Sequence, residues 1–278
     1  MNMPGISDAE FVQLSDYIKS NYGLNLKKEK TYLILGRLQG LLMELGITSF
    51  HDYYNYLIAD ETGEAVSVML DRLTTNHTFF MRQADHFDYF KNTVLPYLGS
   101  SRSSARDLRI WSAGCSSGEE PYTLAMIIAD NPLIGTGNWD SSILATDISM
   151  QALNIGIKGI YNREQLELLP QHWQKKYFVN VDHNQSQVIE RIRNSVVFRR
   201  FNLMNRFPFK KKFQVIFCRN VMIYFDSQTK TDLLSRFYEA TENGGFLFIG
   251  HAESIDRSSS KYKYVLPAIY RKLENSGK

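Results

Sequence analysis

From residue 107 onward, short apolar runs alternate with stretches of helical periodicity. The runs fall at 108–112, 143–146, 196–201, 213–218, 245–249 and 265–271. Helical pattern follows several of them, as in PYTLAMIIAD and SQTKTDLLSRFYEAT. Runs that are apolar almost throughout suit strands covered on both faces, and parallel neighbours need helices as crossovers. The pattern predicts an α/β fold built on a doubly wound, mostly parallel sheet. Between the last two runs stands only HAESIDRSSSKY. That piece is too short and polar for a crossover helix, so the final strand is expected to return antiparallel at an edge.

Two regions stand apart from this alternation. Residues 1–75 read as a helical N-terminal domain without strands. Ser7 and Glu10 form a capping-box pattern, and Gly23 closes the helix that follows. Leu35, Leu38, Leu42 and Leu45 then recur at helical spacing up to Gly46, and SFHDYYNYLIAD and EAVSVMLDRLTTN give two more short helices. Residues 76–106 link this domain to the sheet and end in SSRSSARD, expected as an exposed loop. Within the sheet domain, 107–278, about fifty residues separate Thr146 from Val196, more than one crossover helix requires. A helix near 149–157 leaves room for an insertion near 158–194. There YNREQLELLPQHWQKKYF reads as a short helical piece and FVNVDHNQSQVIERIR as a hairpin around DHNQSQ, a small antiparallel β-subdomain.

Charge and cysteines exclude several classes. With 32 basic and 29 acidic residues the net charge is +3, too balanced to argue for nucleic acid. Cys115 and Cys218 sit far apart with no metal spacing, inside or beside apolar runs. They read as buried thiols of a reducing compartment, and no metal ligand is assigned. No apolar run reaches the roughly 18–20 residues of a membrane span, and MNMPGISDAEF shows neither a basic nor an apolar leader region. A cytoplasmic, monomeric protein without membrane insertion is expected.

The first apolar run continues into IWSAGCSSGEEPYTLA, residues 110–125. A strand, a small-residue loop and a helix start would ordinarily cradle a phosphate. This loop lacks both the full G-x-G-x-x-G and the G-K-[ST] patterns and carries Glu119 and Glu120 instead. Two like charges about 4 Å apart cost about 1 kcal/mol in water and several times that in a partly closed site. A cofactor with cationic groups and a ribose diol, such as S-adenosylmethionine, avoids that cost. Ser117 and Glu120 would fit a capping box, but that puts Pro121 where a helical N–H is needed. Placing Pro121 at the first helical position leaves Glu120 at the N-cap, facing the ligand. Asp147 closes the second strand at its carboxyl end, where doubly wound sheets bind ligands, and suits the ribose. An Asp there would also suit a helix cap. His77 and His251 have no partner pattern and read as ordinary polar residues.

Four segments in order, TTNHTFFMRQADHF, WSAGCSSGEEPYTLA, LATDIS and FCRNVMIYFD, together resemble the CheR family. Its members use S-adenosylmethionine to methylate glutamate side chains of bacterial chemoreceptors. The resemblance covers roughly residues 10 to 272. It implies S-adenosylmethionine as cofactor, S-adenosylhomocysteine as product, and the cytoplasmic helical domain of methyl-accepting chemoreceptors as partner. Carried over residue by residue, Asn76, Thr78 and Arg82 of the joining segment reach over the cofactor. Gly114 and Glu120 belong to its loop and Asp147 to its ribose. Asn202 and Leu203 flank the adenine, and Arg219 and Asn220 line the methionyl side. Tyr224 faces the methyl group, with Arg82 and Tyr224 as the catalytic pair. Each has a plainer reading as well: Asn202 as a turn former, Tyr224 as a core aromatic, Arg219 as a surface charge, and Arg82 paired with Asp85 or Glu64.

The sequence departs from the family in two places. Some relatives carry a glycine-rich turn in the inserted hairpin that binds a pentapeptide at the receptor's C-terminus. Here the turn is NVDHNQSQVIE, without glycine, so independence from such a peptide is expected. The second helix, strongly basic in relatives, here carries Lys27, Lys28, Lys30 and Arg37 and then Leu41, Leu42 and Met43. Two other functions stand beside the lead: a small-molecule carboxyl methyltransferase, and a non-catalytic signalling module that binds S-adenosylmethionine or S-adenosylhomocysteine.

Overall fold

The structure, a computed structural model, describes residues 5–74, 77–101, 105–135, 139–256 and 260–274. Four helices form the N-terminal domain among them: α1 (Asp8–Tyr22), α2 (Thr31–Glu44), α3 (Phe50–Ala59) and α4 (Glu64–Leu73). The expected capping box is made at α1. The Ser7 hydroxyl accepts the Glu10 amide at 3.3 Å, and the Glu10 carboxylate accepts the Ser7 amide at 2.9 Å. Gly23 ends α1 in the left-handed region at φ 75°. Leu38 and Leu42 of the predicted α2 stripe are buried, whereas Leu45 lies past the helix end and is exposed. Of the apolar stretch in α2, Leu41 and Leu42 are core and Met43 is exposed.

The predicted link is largely helix. α5 (Ala84–Tyr89) runs through a π-helical turn, Phe90–Val94, into α6 (Leu95–Ser101). The polar composition of residues 100–107 hid the end of α6; residues 102–104 lie outside the described residues.

The second domain follows in chain order as β1 (Ile110–Ala113), α7 (Glu119–Asp130), β2 (Ile143–Asp147), α8 (Met150–Lys158), β3 (Ile160–Asn162), α9 (Gln171–Tyr177), β4 (Phe178–Asn180), β5 (Gln185–Val188), α10 (Glu190–Arg193), β6 (Val196–Arg200), β7 (Phe213–Cys218), α11 (Ser227–Ala240), β8 (Thr241–Ile249), β9 (Lys263–Leu266) and β10 (Ile269–Arg271). Seven strands form one sheet in the order β6-β2-β1-β7-β8-β10-β9. The first five are parallel, and β10 runs antiparallel to both β8 and β9. The single final strand expected at the edge is thus two. A turn with Ala268 at φ 61° splits it, β10 is inserted beside β8, and β9 takes the edge.

The insertion forms its own antiparallel sheet in the order β3-β5-β4. The hairpin of β4 and β5 was legible, and a 3₁₀ turn at Arg163–Leu166 with α9 makes the helical piece. Strand β3 was not, because three residues are too few to show periodicity.

Side chains alternate across the sheet, and the two cores show it. Ile110, Val215, Phe217 and Phe248 point to one face, with Phe87, Phe90 and Tyr122. Trp111, Ile216, Cys218 and Leu247 point to the other, in a core continuous with Ile18, Leu38 and Leu70 of the helical domain. Trp111 is fully buried among Phe207, Phe209, Phe213 and Phe237. Its indole N–H donates to Thr146 Oγ1 at 2.8 Å. A ring of that size removes roughly 150–250 Å² from water, about 4–6 kcal/mol. Both cysteines are buried free thiols whose pKa burial pushes well up.

Candidate active site

The sheet order reverses between β1 and β7, and the carboxyl ends of β1, β2, β6 and β7 open on one side. That crevice is where doubly wound sheets hold ligands. It is a cavity with roughly 1040 Å³ of empty space, part of it open solvent. The helical domain contributes Tyr22, Leu24 and Thr74 to its wall, and the strap before α5 contributes His77, Thr78, Phe79 and Arg82.

The loop after β1 is shaped by its glycines. Gly114 has φ 85°, and a Cβ there would lie 2.3 Å from Val221 Cγ2. Its amide and that of Cys115 both donate to the Thr146 carbonyl, at 2.7 and 2.9 Å, so the loop is tied to the end of β2. Helix α7 then starts differently from expectation. Gly118 at φ 96° is the N-cap, so Glu119, Glu120 and Pro121 are its first three residues. Pro121 is not at the first position, yet it costs nothing there. The first intrahelical amide is that of Tyr122, donating to Gly118 O at 3.1 Å, and a third residue has no helical acceptor to lose. Nor is the Ser117–Glu120 capping box made: the Ser117 hydroxyl donates to Glu119 Oε2 at 2.7 Å.

The two glutamates part company. Glu120 faces the cavity, accepting the Ser112 hydroxyl at 2.6 Å and Arg219 Nη1 at 3.1 Å. Glu119 turns into the core, and its Oε1 has no hydrogen-bond partner. Burial raises its pKa, against the hydrogen bond from Ser117. Asp147 also reaches the cavity. Its two oxygens accept the Ser116 amide at 2.8 Å and the Ser149 amide at 2.9 Å. Ser149, not Asp147, caps α8. Burial raises the Asp147 pKa, partly offset by these amides.

Arg219 is no surface charge. It is 7% exposed and lies over the Phe87 ring, 5.0 Å from its centroid. Beyond Glu120 it donates to Gln83 Oε1, at 3.1 and 2.9 Å, and to the Arg82 carbonyl. Burial lowers its pKa, and Glu120 opposes that. Asn220 sits in the left-handed region at φ 61°, and its amide donates to Glu253 Oε2 at 3.0 Å. Glu253 also takes the Gly250 amide, and the Ile223 amide at 3.1 Å. One buried carboxylate therefore shapes the whole turn after β7.

Asn202 is a turn former and more. Its Oδ1 accepts the Met204 amide at 2.9 Å, while Nδ2 donates to the Asn21 carbonyl at 2.7 Å, joining the two domains. Leu203 is buried on the cavity wall. Tyr224 is half-buried and lines the cavity, with its carbonyl accepting the Asn25 amide at 2.8 Å. Arg82 pairs with neither Asp85 nor Glu64; its Nη1 donates to the His77 carbonyl at 2.6 Å. Thr78, Arg82, Gly114, Glu120, Asp147, Asn202, Leu203, Arg219, Asn220 and Tyr224 thus line one cavity. Asn76 lies outside the described residues.

Sequence reasoning missed several neighbours. His77 lines the cavity despite its plain reading. Gln83 and Glu253 organise it from positions that no local pattern marks, and Tyr22 and Leu24 enter from the other domain. The Gly23 stop signal could have pointed to these last two, since it turns the chain beside Met204 and Phe225.

The family described as "CheR methyltransferase, SAM binding domain" matches residues 76–270, and "CheR methyltransferase, all-alpha domain" matches residues 9–74. A chemotaxis protein methyltransferase of Borreliella burgdorferi is 40% identical over 270 residues, spanning 96% of this chain and 95% of the relative. A probable chemotaxis protein methyltransferase of Rhizobium etli is 36% identical over 255 residues, 91% of this chain and 94% of the relative. The chemotaxis protein methyltransferase of Escherichia coli K12 is 34% identical over 270 residues, 95% and 91%.

Proposed function

The chain belongs to the CheR methyltransferase family, and on that footing we propose that it transfers a methyl group from S-adenosylmethionine to glutamate side-chain carboxylates of bacterial chemoreceptors. The observation that carries this reading is the convergence of Glu120 and Asp147 on one switch-point cavity, beneath a strap that presents Arg82. Asp147, held by backbone amides, suits a diol, and the Glu120–Arg219 pair suits the ammonium and carboxylate of an amino acid moiety.

The residues fit that cofactor. Asp147, anchored by two amides, is placed to accept a ribose diol. Leu203 and Asn202 offer an apolar wall and an amide for the adenine. Gly114 keeps the loop free of a Cβ, and Glu120, Arg219 and Asn220 form the polar end for the amino acid moiety. Thr78 and Arg82 belong to the covering strap; Asn76, outside the described residues, joins the proposal from the family resemblance alone. When bound, the cofactor supplies an electrophilic methyl group. The acceptor glutamate has an ordinary pKa near 4.3 and is already ionised at neutral pH, so no general base is needed. What remains is alignment and exclusion of water. Arg82, anchored by one nitrogen on the His77 carbonyl, keeps donors for a desolvated carboxylate. Tyr224, which lines the same cavity, is the second group proposed for the acceptor side.

The partner in this reading is the cytoplasmic helical domain of chemoreceptors, met by a monomer in the cytoplasm; no helix among the described residues is long and apolar enough to cross a membrane. Functional units at 1–75, 76–106 and 107–278, with an insertion near 158–194, are part of the same proposal, as is independence from a receptor C-terminal pentapeptide. The test incubates the protein with labelled S-adenosylmethionine and receptor-enriched membranes. Label on receptor bands that mild base releases is expected, because carboxyl methyl esters hydrolyse there. Label stable to base, or no label, would refute the reading.

A further inference from the structure

Beside the cofactor cavity, but not on its wall, Asp85, His86 and His251 bring one carboxylate and two imidazoles together. One ligand-capable atom from each lies within 4.8 Å of the other two. His251 Nε2 is 3.0 Å from Asp85 Oδ2. His86 is the anomalous member. It is fully buried, and neither of its ring nitrogens has a hydrogen-bond partner. Leaving a buried donor or acceptor unmet costs about 1–3 kcal/mol, and native interiors seldom do so without a purpose. The ring stands edge-on to His251 with 4.7 Å between centroids, and Phe248 packs beside it.

We propose that Asp85, His86 and His251 form a binding site for a divalent transition-metal ion of the Zn²⁺, Co²⁺ and Ni²⁺ class. Two imidazole nitrogens and one carboxylate oxygen are the donor set such ions take, with a fourth position left for water. Mg²⁺ and Ca²⁺ prefer oxygen throughout. An ordinary imidazole is mostly neutral at neutral pH, and both His86 ring nitrogens are unmet, so a lone pair is available for a metal. Arg219 opposes a cation, but Glu120 already pairs with it and Asp85 adds a negative charge. Metal–ligand bonds of about 2.0–2.2 Å require the three atoms to close up by an ångström or so. Asp85 and His251, with side chains 62% and 44% exposed, are the ones able to move. The bound ion would tether α5, which directly follows Arg82 and Gln83, to the loop leaving β8, and so hold the strap over the cavity.

The test titrates the whole protein with Co²⁺ alone and reads its visible absorption, then repeats thermal unfolding with Zn²⁺. A signal saturating at one equivalent is expected from the wild type and from His183→Ala, which alters an exposed histidine in the inserted hairpin. Asp85→Asn and His251→Ala, both at partly exposed side chains, should leave the unliganded fold intact and weaken binding by more than the roughly 10–100-fold typical of losing an outer-shell partner. Zn²⁺ should raise the Tm of the wild type but not of His251→Ala. No saturable signal, or undiminished Co²⁺ binding in both variants, would overturn the site.

Discussion

At the scale of single residues, two of the cavity's charges are already committed to each other. Glu120 holds the buried Arg219, and a charge-assisted bond of this kind is worth about 1.5–3 kcal/mol. Glu120→Gln keeps the shape and loses the charge. Its affinity for S-adenosylmethionine should fall about 10–100-fold by calorimetry, and an unchanged Kd would remove Glu120 from the cofactor site. Tyr224→Phe asks a different question, because only the hydroxyl goes. Cofactor affinity should stay while turnover slows; an unchanged rate would make Tyr224 a packing residue. The buried carboxylates give the pH dependence. Burial raises the pKa of Asp147 above that of a free aspartate. Its ionised form, the diol acceptor, is therefore lost on acidification sooner than usual, and cofactor affinity should drop with it. Asp147→Asn should bind weakly with that pH dependence gone. Glu119 acts on stability instead. Its raised pKa means that its contribution is full below the unfolded value near 4.5 and is lost as pH rises through the folded one. Glu119→Gln, uncharged throughout, should therefore gain Tm relative to the wild type from acid to neutral pH.

At the scale of elements, the loop between β1 and α7 depends on a conformation that L side chains resist. Gly114→Ala combines φ 85° with a Cβ 2.3 Å from Val221 Cγ2. Left-handed strain alone costs about 1–3 kcal/mol. The variant should lose Tm and cofactor affinity together. Adding Val221→Ala should relieve the clash and restore part of both, and a second substitution without effect would show that backbone strain alone is at work. The same loop shows what was legible in sequence. A strand, two glycines and two carboxylates sit within sixteen residues, so local chemistry announced the ligand class. Asp147 and Arg219 were legible because they end apolar runs. Gln83 and His86 were not, for their partners Arg219 and His251 lie far along the chain and no short-range period links them. Pro121 misled because a proline is tolerated at any of the first three helical positions, and the sequence does not say which. The β9–β10 hairpin was hidden likewise, since a three-residue strand leaves no alternation to read.

At the scale of the whole molecule, the helical domain is part of the site rather than an appendage. Asn202 bonds the Asn21 carbonyl, the Asn25 amide bonds the Tyr224 carbonyl, and Arg200 reaches the carbonyls of Thr62 and Gly63. These contacts bring Tyr22 and Leu24 to the cavity wall. The inserted sheet has a looser relation to the cavity. Tyr161 donates to the Ser117 carbonyl at 2.7 Å, which ties its base to the cofactor loop, but none of its residues lines the cavity. A receptor tail adding as a strand would need a free edge, and β4 is such an edge. It is only three residues long. The turn beyond it is closed by Asp182, whose Oδ1 accepts the amides of Asn184 and Gln185, each at 2.7 Å. Those amides are spent internally, and without glycine the turn offers no close backbone approach. A pentapeptide copied from a receptor C-terminus should therefore show no saturable binding in a fluorescence titration. Receptors cut short of that tail should be methylated as fast as intact ones. Low-micromolar peptide affinity, or a rate that collapses on tail removal, would show that β4 serves as a docking edge despite its length.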